Sequence, residues 1–184
     1  MVHENWVRNG VAAVVLLGSA VALSGCKLFV KEDPPPCPRV SILADASELT
    51  RFRPGPGRDI TDIALQAKIA DYHGACQYDK DSHKMNIALK VGLDLQRGAA
   101  LGDQKTSLQY WVSVPTFYPY DGAKKVLTVN AEFPRNRDQL HVTDGEVELS
   151  FPVRNVKELE RYEVFIGLQM DEAELQYNRA HRHY

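Results

Sequence analysis

From Val40 onward, apolar and polar residues alternate with a period of two. Val40, Ile42 and Ala44 form a first short run, and Ile63, Leu65, Ala67 and Ile69 a second. Met85, Ile87, Leu89, Val91, Leu93 and Leu95 give the cleanest run, with Asn86, Lys90 and Asp94 between them. Leu108, Tyr110, Val112 and Val114 come next, followed by Leu127, Val129, Ala131 and Phe133. Val147, Leu149, Phe151 and Val153, and then Tyr162, Val164, Ile166, Leu168 and Met170, complete the set. Successive side chains of a strand point to opposite faces, so this alternation marks strands with one buried face. Seven such runs, separated by turn-rich segments, predict an all-β antiparallel sandwich of immunoglobulin- or fibronectin-like architecture.

Helix is expected only near the end. Asp171 can cap a short helix through Glu172, Glu174, Leu175 and Tyr177, and a shorter helical turn is expected over Val156 to Arg161. No βαβ rhythm and no glycine-rich phosphate loop occurs, which argues against a nucleotide-binding α/β fold. Pro115, Pro134 and Pro152 each follow an apolar run, where the missing N–H costs no ladder bond.

The amino-terminal part follows a different pattern. Arg8 precedes an apolar run from Val11 to Leu23. As a helix that run rises about 20 Å, too short for a hydrocarbon core of roughly 30 Å. It reads as a secretory signal. The run ends in Leu23-Ser24-Gly25-Cys26, an aliphatic residue and two small ones before a cysteine. These four residues resemble the lipobox of bacterial lipoproteins. The resemblance implies cleavage before Cys26 and a thioether-linked diacylglycerol on its thiol. It also implies a bilayer as partner, because two or three acyl chains anchor firmly where one does not. Lys27, in the place where aspartate retains enteric lipoproteins in the inner membrane, implies the outer membrane, with the domain facing the periplasm.

Four regions result: a leader over 1–25, a lipidated terminus and tether over 26–36, a β-sandwich over 37–170, and a short helix and tail over 171–184. In the tether, KLFVKEDPPP ends in three prolines that favour an extended polyproline spacer. The segment from Glu163 to Arg179, EVFIGLQM followed by Glu174-Leu175 and Asn178-Arg179, is similar to uncharacterised alphaproteobacterial lipoproteins. The stretch from Cys37 to Asp59 shares that similarity. The resemblance supports the location and implies no activity.

Export makes sense of the cysteines. With Cys26 taken by lipid, Cys37 and Cys76 remain, and one pair in an oxidising compartment is most simply a disulfide. They lack the paired spacing of a zinc site. If the first two predicted strands pair antiparallel, this disulfide clips the open end of their hairpin.

Charge excludes one class of partner. Lys plus Arg is 22 against 24 Asp plus Glu, leaving no basic excess to bind nucleic acid. No Gly-x-Ser-x-Gly or His-Glu-x-x-His pattern occurs, so no recognisable hydrolase is present and a non-enzymatic protein is expected. No cofactor is implied. His73 and His83 flank one loop with Asp71, Asp79 and Asp81, in a spacing that matches no metal motif.

Two segments are candidate binding elements. Arg51, Phe52, Arg53 and Arg58 sit in RFRPGPGRD, where proline and glycine shape a tight loop. Arginine forks suit carboxylates and phosphates, and Phe52 can stack on a ligand. The alternative is a solvated turn whose arginines pair with Asp45, Glu48, Asp59 or Asp62. Tyr110, Trp111, Phe117, Tyr118 and Tyr120 cluster around Pro115 and Pro119. They form either a platform for carbohydrate or peptide, with Trp111, Tyr118 and Tyr120 as its contacts, or core plus a packed loop. The expected function is an interaction or envelope-assembly module with an envelope protein as partner. The alternative is a binder of small ligands or glycans, which requires the arginine loop and the aromatics to meet in one concave site.

Overall fold

The structure is a computed structural model that describes residues 35–181. The leader, Cys26 and the tether up to residue 34 lie outside the described residues, as does the tail from residue 182. Nine strands are described: β1 (Arg39–Ile42), β2 (Glu48–Phe52), β3 (Ile63–Asp79), β4 (Lys84–Arg97), β5 (Lys105–Ser113), β6 (Lys124–Glu132), β7 (Gln139–Thr143), β8 (Val147–Pro152) and β9 (Glu163–Leu168). They form two sheets, followed by one helix, α1 (Glu172–Ala180). All seven expected strands are present in an all-β sandwich.

The first sheet runs β1-β9-β5-β6 and the second β2-β3-β4-β7, with β8 also paired to β4. Strands β7 and β8 occupy successive stretches of β4, at Gly92–Gln96 and Lys84–Leu89. The core lies between the sheets. Leu108, Tyr110, Val112, Val164 and Ile166 of the first meet Leu65, Met85, Leu89, Leu93 and Leu149 of the second, all buried. Burying each such side chain contributes about 1.5–3 kcal/mol. Phe117, Phe151 and Tyr162 close part of this core as a ring cluster, with centroids 4.6 and 4.9 Å from Phe117.

Strands β2 and β7 fall outside the seven expected runs. Each is five residues long, and β2 buries only Leu49. Strand β3 runs ten residues past Ile69, where its apolar pattern stops. Ile69 pairs with Leu93 and Asp71 with Gly92, so Ala70 is an extra residue. The bulge reverses the strand's phase. Up to Ile69 the odd positions face the core; beyond it Tyr72, Cys76 and Tyr78 do.

The disulfide forms as expected, with Cys37 and Cys76 Cα atoms 5.8 Å apart, but it clips no hairpin. Strand β1 pairs parallel with β9, so the first two predicted strands lie in different sheets. Cys37 leads into β1 of the first sheet and Cys76 lies within β3 of the second. The bond therefore ties sheet to sheet along one side. The Tyr72 hydroxyl donates to the Val40 carbonyl at 2.9 Å and reinforces the same seam.

Helix α1 begins at the expected cap. The Asp171 side chain accepts from the Glu174 N–H at 2.7 Å, and Glu174 Oε2 accepts from the Asp171 N–H at 3.0 Å. The shorter 3₁₀ turn also falls at Val156–Arg161.

Candidate functional site

The arginine loop is largely occupied by its own protein. Arg51 and Phe52 end β2, and the loop proper starts at Arg53. Arg51 donates through Nε to Glu174 Oε1 at 2.7 Å and through Nη1 to the Ser107 carbonyl at 3.0 Å. The second bond has a topological cause. The pairing of β9 with β5 covers Tyr110–Ser113, so Ser107 lies beyond it and its carbonyl is open to Arg51. Arg53 Nη2 pairs with Asp62 Oδ1 at 2.5 Å, and Asp62 Oδ2 accepts from the Asp59 N–H. Arg58 Nη1 donates to the Gly55 and Gly57 carbonyls, while its guanidinium carbon lies 5.2 Å from the Phe52 ring centre. Phe52 meets Tyr177 edge-on at 4.9 Å. Among the described residues, Asp62 is the expected acidic partner seen to pair with one of these arginines, Arg53. Glu174 is a partner that sequence distance concealed. A hollow of about 310 Å³ remains between the loop and α1, with carboxylates of Asp171 and Glu174 in its wall.

The aromatic segment divides. Tyr110 and Phe117 enter the core, whereas Trp111, Tyr118 and Tyr120 reach the surface of the first sheet. Trp111 lies close over Gly167: a Cβ there would sit 2.4 Å from the indole Cζ2 and 2.9 Å from the Ala46 Cβ. Opposite Trp111 in the register is Val126, 49% exposed. Val126 also lines a hollow of about 370 Å³ with Tyr118, Pro119, Tyr120 and Lys124. Tyr118 is 79% exposed, and the Tyr118–Pro119 peptide is cis. Neither Lys124 nor Lys125 has an ion-pair partner among the described residues. An aromatic and aliphatic surface thus lies beside two unpaired cations.

The two candidate segments do not meet. Arg51 touches β5 at Ser107, while Tyr118 and Tyr120 follow the far end of β5 after Ser113. Six strand residues span about 20 Å. The single concave site built from the arginine loop and the aromatics is therefore not formed, because the length of β5 separates its halves.

The histidines also disperse. His73 lies inside β3, 3.7 Å from Asp71, and His83 lies in the β3–β4 turn with a φ of 52°. They do not flank one loop, because β3 extends through Asp79. Asp79 accepts from Ser82 Oγ at 2.6 Å and from the backbone of Ser82 and Asp81, and these bonds lower its pKa. Among the described residues, no group of three or more His, Cys, Asp or Glu is placed to hold a metal ion. Among them also, no helix is long and apolar enough to cross a membrane.

No family model, curated protein or solved structure matches this chain.

Proposed function

We propose that this chain is a lipid-anchored envelope protein, held at the outer membrane and facing the periplasm, whose sandwich docks another envelope protein and catalyses no reaction. The observation that carries the docking role is the surface of Trp111, Val126, Tyr118 and Tyr120 beside unpaired Lys124 and Lys125. Aromatic residues supply contact area at interfaces, and unpaired cations at the rim favour an acidic partner surface. The anchoring role rests on the order of apolar run, Leu23-Ser24-Gly25-Cys26 and proline-rich spacer. Such a chain carries the sandwich on a short stalk, within reach of other proteins on the same membrane.

The test is photo-crosslinking in intact cells, with a benzophenone amino acid placed at Tyr118 on this face or at His73 on the other sheet. The proposal expects one discrete adduct from position 118, lost when Val126→Asp and Lys124→Glu are added, and none from position 73. Identical adduct patterns from both positions contradict it.

A further inference from the structure

The outer face of the second sheet carries two side-chain rows that only the strand register reveals. In one, Glu48 is opposite Lys68, Lys68 opposite Asp94, and Asp94 opposite His141. In the next, Thr50 is opposite Gln66, Gln66 opposite Gln96, and Gln96 opposite Gln139. Both rows line one open hollow of about 490 Å³. With strands about 4.8 Å apart, each row spans roughly 14 Å.

The rows differ in what they leave available. The charged row is internally paired: Glu48 to Lys68 at 3.5 Å, and Asp94 to His141 Nδ1 at 2.8 Å. Arg97, at the border, is held by Asp138 at 2.7 Å. In the neutral row, none of the four side chains has a hydrogen-bond partner among the described residues. Each carboxamide offers two donors and an acceptor, and the threonine hydroxyl offers both roles. The hollow therefore presents free neutral hydrogen-bonding groups beside charged side chains that already have hydrogen-bond or ion-pair partners. The arrangement recurs further along β4, where Gln77, Asn86 and Ser150 form a second neutral row in a hollow of about 530 Å³.

We propose that the Thr50–Gln66–Gln96–Gln139 row is a binding site for a neutral, linear glycan. A glycan carries donor and acceptor hydroxyls along its length, which suits groups able to play both roles. An anionic polymer finds no unpaired cation in the hollow. An extended peptide binds a sheet through the backbone of an edge strand, whereas this row lies on the sheet's face and offers side chains alone. With no Phe, Tyr or Trp in the hollow to stack on a sugar, the affinity is weak and comes from several bonds made together. This site is separate from the proposed docking face and stands or falls independently of it.

The test uses the purified full chain, isotopically labelled, with the glutamine side-chain amides followed by NMR. Chitohexaose at millimolar concentration is expected to shift the amide signals of Gln66, Gln96 and Gln139 and to leave the Trp111 indole signal unmoved. Gln96→Ala should weaken binding about fivefold, the size of one neutral hydrogen bond. Lys68→Ala should change it less than about twofold, as befits an already paired exposed charge. The wild-type shifts decide the question even if a variant misfolds. The proposal is overturned if chitohexaose moves none of the three amides, or if hexagalacturonate moves them more strongly. It is also overturned if a neutral Gly-Ser hexapeptide moves them equally.

Discussion

The Tyr110 hydroxyl donates to Asp144 Oδ2 at 2.8 Å, joining the centre of the first sheet to the β7–β8 connection of the second. Tyr110 is fully buried, so burial is the larger reason its pKa is raised above 10; the hydrogen bond and charge of Asp144 push the same way. An unfolded chain ionises this phenol near pH 10, while the folded chain holds the proton to higher pH. The stabilisation is therefore complete below pH 10 and is lost as pH rises above it, by about 1.4 kcal/mol per pH unit. Tyr162, raised by burial and then by Glu158, acts in the same direction. Tyr110→Phe should cost about 1 kcal/mol at neutral pH and flatten this alkaline slope. Urea unfolding at a series of pH values checks it; equal slopes for both proteins would contradict the assignment.

The Cys37–Cys76 bond closes a loop with a sequence separation of 39. Chain entropy gives such a link about 4 kcal/mol, as an upper figure. Reduction should lower the unfolding free energy by up to that amount and loosen the seam where Tyr72 holds Val40. Denaturation with and without reductant measures the loss. Cys37→Ala with Cys76→Ala should show the same loss without reductant.

Arg51 holds α1 against the edge strand β2. The helix also places Asn178 against the Glu48 carbonyl at 2.5 Å, so it covers backbone that would otherwise be a free edge. Arg51→Ala removes the bonds to Glu174 and Ser107. The pair is about one-third exposed on the arginine side, so solvent screening holds the expected cost to about 1–2 kcal/mol. Hydrogen exchange should quicken in Glu172–Ala180 and Glu48–Phe52, and leave β4 unchanged.

These contacts show where sequence pattern was informative and where it was not. Met85 to Leu95 announced β4 because one face is apolar throughout and no bulge interrupts it. The same reasoning stopped at Ile69, since the extra residue at Ala70 moved Tyr72 and Cys76 into the phase expected of outward positions. The Asp171 cap was legible because a capping box is local. The Arg51–Glu174 pair joins residues 123 positions apart, and nothing local encodes it. The disulfide partners followed from the cysteine count and the expectation of an oxidising compartment, but the strands they tie did not, because pairing β1 with β9 is a long-range choice. Trp111, Tyr118 and Tyr120 were recognised as candidates by residue type. Their separation from the arginine loop depended on the direction of β5, and the glutamine row on register, neither of which alternation specifies.

Gly167 gives the Trp111 surface its shape. Adding a Cβ drives it into the indole ring and the Ala46 methyl, neither of which is a freely moving end. Gly167→Ala should cost about 1–3 kcal/mol. Trp111 is the only tryptophan among the described residues, so in a chain cleaved before Cys26 its emission reports this site alone. A shifted emission maximum is expected, together with loss of the adduct from position 118.

The claim that the sandwich works at a membrane rests on Cys26, and acyl labelling tests it most directly. Cells are fed an alkyne analogue of palmitate, and the protein is recovered and partitioned in detergent. The wild type should carry label and enter the detergent phase. Cys26→Ser should carry none and keep its leader. It should retain the Cys37–Cys76 bond, because residue 26 lies outside the loop which that bond closes. A wild type without label, or a Cys26→Ser variant labelled to the same extent, would contradict the lipid anchor and with it the membrane-tethered function.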